Sequence, residues 1–179
     1  MFRRKNKTAA PLSLDAIPAR WRVEVEECVR LGAELTRLSS GTAGGAVQER
    51  LTEFASTVQS QLDDIVATVG RSGELLRLTE TLDVEEITDA YKRARRRDPD
   101  GIEAESLGRQ HATAQRLLNS LDDVDAHVVA ARLRIRELVL AAGELALSGS
   151  DAALASVSTS VGRLAEEADA LREALSGLR

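Results

Sequence analysis

Between Ala114 and Leu145 the apolar residues recur at alternating spacings of three and four. They are Ala114, Leu117, Leu121, Val124, Val128, Ala131, Ile135, Leu138, Ala142 and Leu145. A 3.5-residue period held this long fits a long α-helix whose apolar seam keeps facing a neighbour, and no strand can carry it. The closing segment repeats the register through Leu154, Val157, Val161, Leu164, Ala168, Leu171, Leu175 and Leu178. Two upstream stripes have helical spacing as well: Trp21, Val25, Cys28, Leu31, Leu35 and Leu38, then Val47, Leu51, Phe54, Val58, Leu62, Ile65 and Val69. The expected fold is therefore all-α, an antiparallel, coiled-coil-like bundle of long helices.

Turn and capping signals divide the chain into helices over about 18–39, 46–69, 74–97, 100–148 and 151–177. Asp15 reads as the first N-cap, with Pro18 tolerated in the first turn. The run 39–45, SSGTAGG, ends that helix, and Gly70-Arg71-Ser72-Gly73 interrupts the second. Asp83-Val84-Glu85-Glu86 has the form of a capping box. Asp98-Pro99-Asp100-Gly101 separates the third helix from the fourth, with Asp98 read as the N-cap and Pro99 as the first helical residue. Ser148-Gly149-Ser150 closes the fourth. Helices 18–39, 46–69, 122–148 and 151–177, each roughly 33–40 Å at 1.5 Å per residue, make the bundle. Residues 74–121 are left over as a projecting helical hairpin. Residues 1–12 read as a disordered basic arm closed by Pro11, and 13–179 as one helical-bundle domain.

The interior must be aliphatic, because Phe2, Trp21, Phe54 and Tyr91 are the only aromatic residues. Such a core suits helical seams better than a deep ligand pocket. Arginine outnumbers lysine 21 to 3, a bias of GC-rich bacterial genomes. The lone Cys28 excludes an intrachain disulfide and points to a reducing cytoplasm. No apolar run approaches the ~20 residues of a membrane span, and no hydrophobic stretch follows the basic start as in a signal peptide.

The net charge of −5 hides a division. Residues 1–7 hold four positive charges and residues 92–97 hold five, with no acids in either run. The remaining 15 basic residues face 29 acids, a remainder of −14. The sites read as partner-binding are accordingly Arg93, Arg95, Arg96 and Arg97 at the hairpin and Arg3, Arg4, Lys5 and Lys7 in the arm.

Catalytic and metal constellations find no support. Gly108 and Val124 stand three residues before His111 and His127, so the Glu-x-x-His pairs of a di-iron bundle are missing. Asp122, Asp123 and Asp125 fan over different faces of a helix and read as a solvated surface. Cys28 lies in an apolar stripe with no basic neighbour one turn away, which reads as a core cysteine. SGTAGGA lacks the lysine of a phosphate-binding loop and follows a helix instead of a strand.

Residues 84–101, VEEITDAYKRARRRDPDG, resemble the second helix and loop of a J-domain, where an Ala-Tyr helix with a basic run leads into His-Pro-Asp. The resemblance covers about a tenth of the chain. Asp98 stands where that family has its histidine, and a long heptad helix follows in place of a short third one. Docking to the family's partner chaperone, which the resemblance would imply, is therefore not carried over. Helix chemistry accounts for much of the run: arginines in a last turn complement the helix dipole, and Glu85, Asp89, Arg93 and Arg97 form one row at four-residue spacing.

The functional expectation is a non-enzymatic, cytoplasmic scaffold or adaptor without a cofactor, acting by self-association or by binding a protein partner. Incompletely buried Leu75, Leu78, Leu82, Ile87, Leu117 and Leu121 in the projecting pair motivate it. The alternative is a peripheral protein at the inner face of the membrane whose basic arm meets anionic lipid. A nucleic-acid-linked regulator comes last, because the −14 remainder repels phosphate.

Overall fold

The computed structural model describes residues 14–42 and 44–176. A 3-10 turn, Leu14–Ala16, leads into five helices: α1 (Ala19–Gly41), α2 (Ala46–Thr81), α3 (Val84–Arg97), α4 (Ile102–Ser148) and α5 (Asp151–Ser176). No strand occurs among the described residues. The chain is an all-α bundle of long helices. All ten heptad residues of α4 from Ala114 to Leu145 are buried, as are Trp21, Val25, Cys28, Leu31 and Leu35 of α1. Leu178 lies outside the described residues.

Within each hairpin the neighbours are antiparallel: α1 packs on α2 and α4 on α5. Between hairpins they run parallel. Arg20 of α1 meets Asp125 of α4, Glu24 meets Arg132, and Leu38 and Thr42 line a groove with Ala146 and Leu147. On the other side Asp64 of α2 meets Arg172 of α5, and Leu75 shares a groove with Leu175.

Helix α2 runs unbroken through Gly70-Arg71-Ser72-Gly73, where the sequence suggests an interruption. Packing explains why. Ile17 Cδ1 lies 3.9 Å from where a Cβ on Gly70 would sit, and Pro18 Cγ 3.2 Å from one on Gly73. The approach at Gly73 is tighter than a side chain ordinarily allows, whereas Gly70 has room for a Cβ, and packing of the turn entering α1 on α2 holds the helix against a penalty of ~1 kcal/mol per glycine. Ser72 stays in the helix by donating to the Thr68 carbonyl at 3.1 Å. The break falls instead at Leu82–Asp83, so 74–97 is not one helix. Asp83 caps α3, accepting from the Glu86 N–H at 2.8 Å.

Two other ends also move. Pro18, not Asp15, occupies the N-cap of α1. Gly101 occupies the N-cap of α4, while Asp98 ends α3 by donating its N–H to the Ala94 carbonyl at 2.9 Å. The four residues DPDG close a turn, with Gly101 N–H donating to the Asp98 carbonyl at 3.3 Å. At the other end Gly149 takes the left-handed conformation (φ 59°) that terminates α4.

The main core draws on α1, α2, α4 from Leu121 onward, and α5. Helix α3 packs on α4, and Ala94, Ala104, Ala114 and Leu117 are buried outside that core. The projecting hairpin is thus α3 with the first five turns of α4. Residues 74–81 belong to the bundle, since Leu75 and Leu76 pack on its core.

Candidate functional site

At the hairpin, the side chain of Tyr91 anchors α3 to α4. Its ring stacks on His111 with centroids 5.3 Å apart and lies over Gly108, where a Cβ would come 3.2 Å from the ring. With Ala94 turned inward, Lys92, Arg93, Arg95, Arg96 and Arg97 are all exposed. Arg97 pairs with Glu103 at 2.6 Å, and Lys92 approaches Asp89 at 3.7 Å. The expected pairing of Asp89 with Arg93 does not form. Among the described residues, Arg93, Arg95 and Arg96 have no carboxylate within ion-pair distance. Arg95 and Arg96 line a shallow groove with Tyr91 and Lys92.

Arg3, Arg4, Lys5 and Lys7 lie outside the described residues. Their attachment point is placed: Ile17 and Pro18 sit against Gly70 and Gly73, at the bundle end from which the hairpin projects. From Leu121 to Ile102 the overhang is ~28 Å. Ten residues separate Leu14 from Arg4, a contour of at most ~35 Å.

Of the three aspartates read as a solvated face, Asp123 is exposed as expected, while Asp125 and, more loosely, Asp122 have a structural task. Arg20 Nε donates to both Asp125 carboxylate oxygens at 2.9 and 3.0 Å, its terminal nitrogen approaches Asp122 at 3.6 Å, and Trp21 Nε1 also donates to Asp125. Asp125 holds the guanidinium of Arg20 above its usual pKa, chiefly through the hydrogen bond. The clamp fastens the start of α1 to α4 where the hairpin leaves the bundle. A second tie joins α4 to α5, His127 Nδ1 to Glu167 Oε2 at 3.0 Å. No group of three or more metal-ligating side chains converges among the described residues.

Cys28 is 1 % exposed, and burial pushes its thiol up to about 12, with the charge of Glu24 adding to the effect. The raised value leaves stability whole below the unfolded thiol's pKa near 9. Between about 9 and 12 the unfolded thiol ionises while the folded one does not, so stability falls across that window. Native protein is therefore expected to resist a thiol-specific chromogenic reagent at pH 8 and to release one equivalent of chromophore only on unfolding. Rapid labelling of the native state would show that Cys28 is accessible.

One surface feature escaped sequence reasoning. Val129, Leu133, Leu140 and Leu147 of α4 are exposed, Leu140 by 71 % and Leu147 by 92 %. Their spacings of four, seven and seven put them on one outward stripe about 27 Å long, with Arg136 and Gly143 between them. The stripe shares its helix with the core seam, so α4 is apolar on two faces between Val128 and Leu147. Of the six residues expected to be incompletely buried, Leu78 is exposed, Leu75, Leu82 and Ile87 are half-buried, Leu75 against the main core, and only Leu117 and Leu121 are buried.

No protein-family model matches the chain, and no curated protein or solved structure matches it significantly. Function must therefore be argued from these surfaces. No helix among the described residues is long and apolar enough to cross a membrane. What the geometry offers is an apolar stripe on α4 and a cluster of unpaired arginines at the hairpin.

Proposed function

We propose that this chain is a non-enzymatic helical scaffold or adaptor, working in the bacterial cytoplasm by self-association or by binding a protein partner. The observation that carries the reading is the exposed stripe Val129, Leu133, Leu140 and Leu147. Scattered single leucines on a surface need no explanation, but four in register along one helix resemble one half of a helical seam. The arginines of the hairpin add a second contact, since arginine is enriched where interfaces carry most energy. Light scattering of the purified chain, together with capture of partners by wild type and by Leu140→Glu, tests this. Association or capture that the substitution abolishes is expected. A strict monomer with no stripe-dependent partner would end the reading.

A second reading rests on a different observation: the attachment of the basic arm and the unpaired Arg93, Arg95 and Arg96 lie toward the same end. Together they suit a peripheral protein on anionic lipid at the inner membrane face, at about 1 kcal/mol per basic residue near the surface. Full-length protein should then co-sediment with phosphatidylglycerol vesicles and not with phosphatidylcholine. Deleting residues 1–12 should abolish most of that binding. Equal sedimentation with both vesicles would remove this reading. Nucleic acid is the least favoured partner, given the acidic body.

A further inference from the structure

We infer that the outward face formed by α1 and α4 is a homodimer interface, and that a second copy of this chain docks on it antiparallel. This rests on the scaffold reading and names its partner. The two helices run parallel and in step, as Arg20 beside Asp125 and Glu24 beside Arg132 show. Val23, 73 % exposed, continues the apolar face onto α1. Next to it come Glu27, Arg30, Glu34 and Arg37, paired within the helix as Glu27–Arg30 at 2.7 Å and Glu34–Arg37.

The order of those four charges selects the occupant. Reversed, Glu-Arg-Glu-Arg becomes Arg-Glu-Arg-Glu. A copy laid antiparallel, with its two-fold axis near residue 32, sets the second copy's Arg37 against Glu27 and the second copy's Glu34 against Arg30. A parallel copy covering the same face would lay α1 on the second copy's α4, so these charges would meet its apolar stripe and lose their partners, which costs affinity and register.

The same axis, carried across at the spacing that joins α1 to α4, passes near residue 138. It then brings Leu147 of one copy to Val129 of the other, and Leu133 to Gly143. A Cβ on Gly143 would meet nothing within 4 Å, so the glycine leaves space for an incoming leucine. Arg136 lays its aliphatic stem beside the second copy's Leu140 and keeps its charge in water. A two-fold interface must be complementary to itself, and both the charges and the side-chain sizes meet that condition. From Val128 to Ser148, the stretch of α4 that an axis near residue 138 maps onto itself, the face is ~30 Å long and two helices, ~20 Å, wide, on the order of 600 Å². That is at the lower end of the roughly 600–1,000 Å² each partner contributes to a standard interface.

Sedimentation equilibrium of the full chain, from micromolar to sub-millimolar, is the test. Wild type should reach a dimer, and Leu140→Glu should weaken the association by at least about 100-fold, because the axis buries the new charge twice. Ala155→Glu, on the exposed side of α5, should dimerise as wild type does. Circular dichroism at low concentration shows whether each variant retains its fold. The register has its own check. Arg30→Glu and Glu34→Arg should each dimerise less well than wild type, yet form heterodimers when mixed, since unlike charges then meet. A wild-type monomer throughout overturns the proposal, as does unweakened dimerisation of Leu140→Glu or failure of the mixed pair to associate. If the monomer still captures another protein through the stripe, the dimer is lost and the scaffold reading stands.

Discussion

Leu138→Ala is expected to destabilise the protein by about 2–5 kcal/mol, while Leu140→Ala, two residues along the same helix, should change stability by no more than about 0.5 kcal/mol. Leu138 is fully buried in the main core and Leu140 is 71 % exposed. Removing the first side chain loses its transfer free energy and leaves a cavity among Val, Ile and Leu neighbours that relax only partly. Removing the second takes away a side chain that water already surrounds in the monomer. Urea unfolding followed by circular dichroism, at concentrations below self-association, measures both. Similar losses for the two variants would mean that the inward face of α4 is assigned incorrectly.

The second large effect is at Trp21. Its side chain is 2 % exposed, in the core and at the clamp between α1 and α4, where Nε1 donates to Asp125. Trp21→Ala should lose about 3–5 kcal/mol, because it opens a large cavity and removes one of the donors to Asp125. Trp21→Phe should lose less, since the ring restores much of the volume but not the N–H. Thermal unfolding ranks the three proteins. Trp21 is the sole tryptophan, so wild-type emission should be blue-shifted when folded and move red on unfolding. A native spectrum already at the solvent-exposed limit would show that the ring is not in the core.

Much of this architecture is legible in the sequence because a helix repeats its face every few residues. The heptad stripes of α1, α2, α4 and α5 identify buried residues from Trp21 to Leu171 without any knowledge of their neighbours. Asp83 as the cap of α3 is legible for a similar reason, since a cap acts on an amide three residues away. Gly70 and Gly73 show where local reading stops. Their breaking tendency is about 1 kcal/mol each, and contact with Ile17 and Pro18, more than fifty residues away, overrides it. At Asp98 two local roles compete, N-cap of the next helix or end of the last. The turn closed through Gly101 decides for the latter.

The candidate site was half legible. The basic run 92–97 stands out in composition, but which arginines are already paired depends on α4 bringing Glu103 to Arg97 and nothing to Arg93, Arg95 or Arg96. The α4 stripe could not be read in advance. The heptad seam marks the covered face of α4, but Val129, Leu133, Leu140 and Leu147 fall outside it, and only the packing shows that no other helix of the chain covers them.

By itself the sequence determined the helices, their amphipathic faces, the aliphatic core and the two basic clusters, because each depends on residues a few positions apart. Only the tertiary structure decided that α1 runs parallel to α4 and α2 to α5, that α2 continues through its glycines, and that one face of α4 is left open. Each of those is settled by contacts between residues far apart in the chain, such as Arg20 with Asp125 and Pro18 with Gly73. Their energies rival local propensity and leave no periodic trace in the sequence.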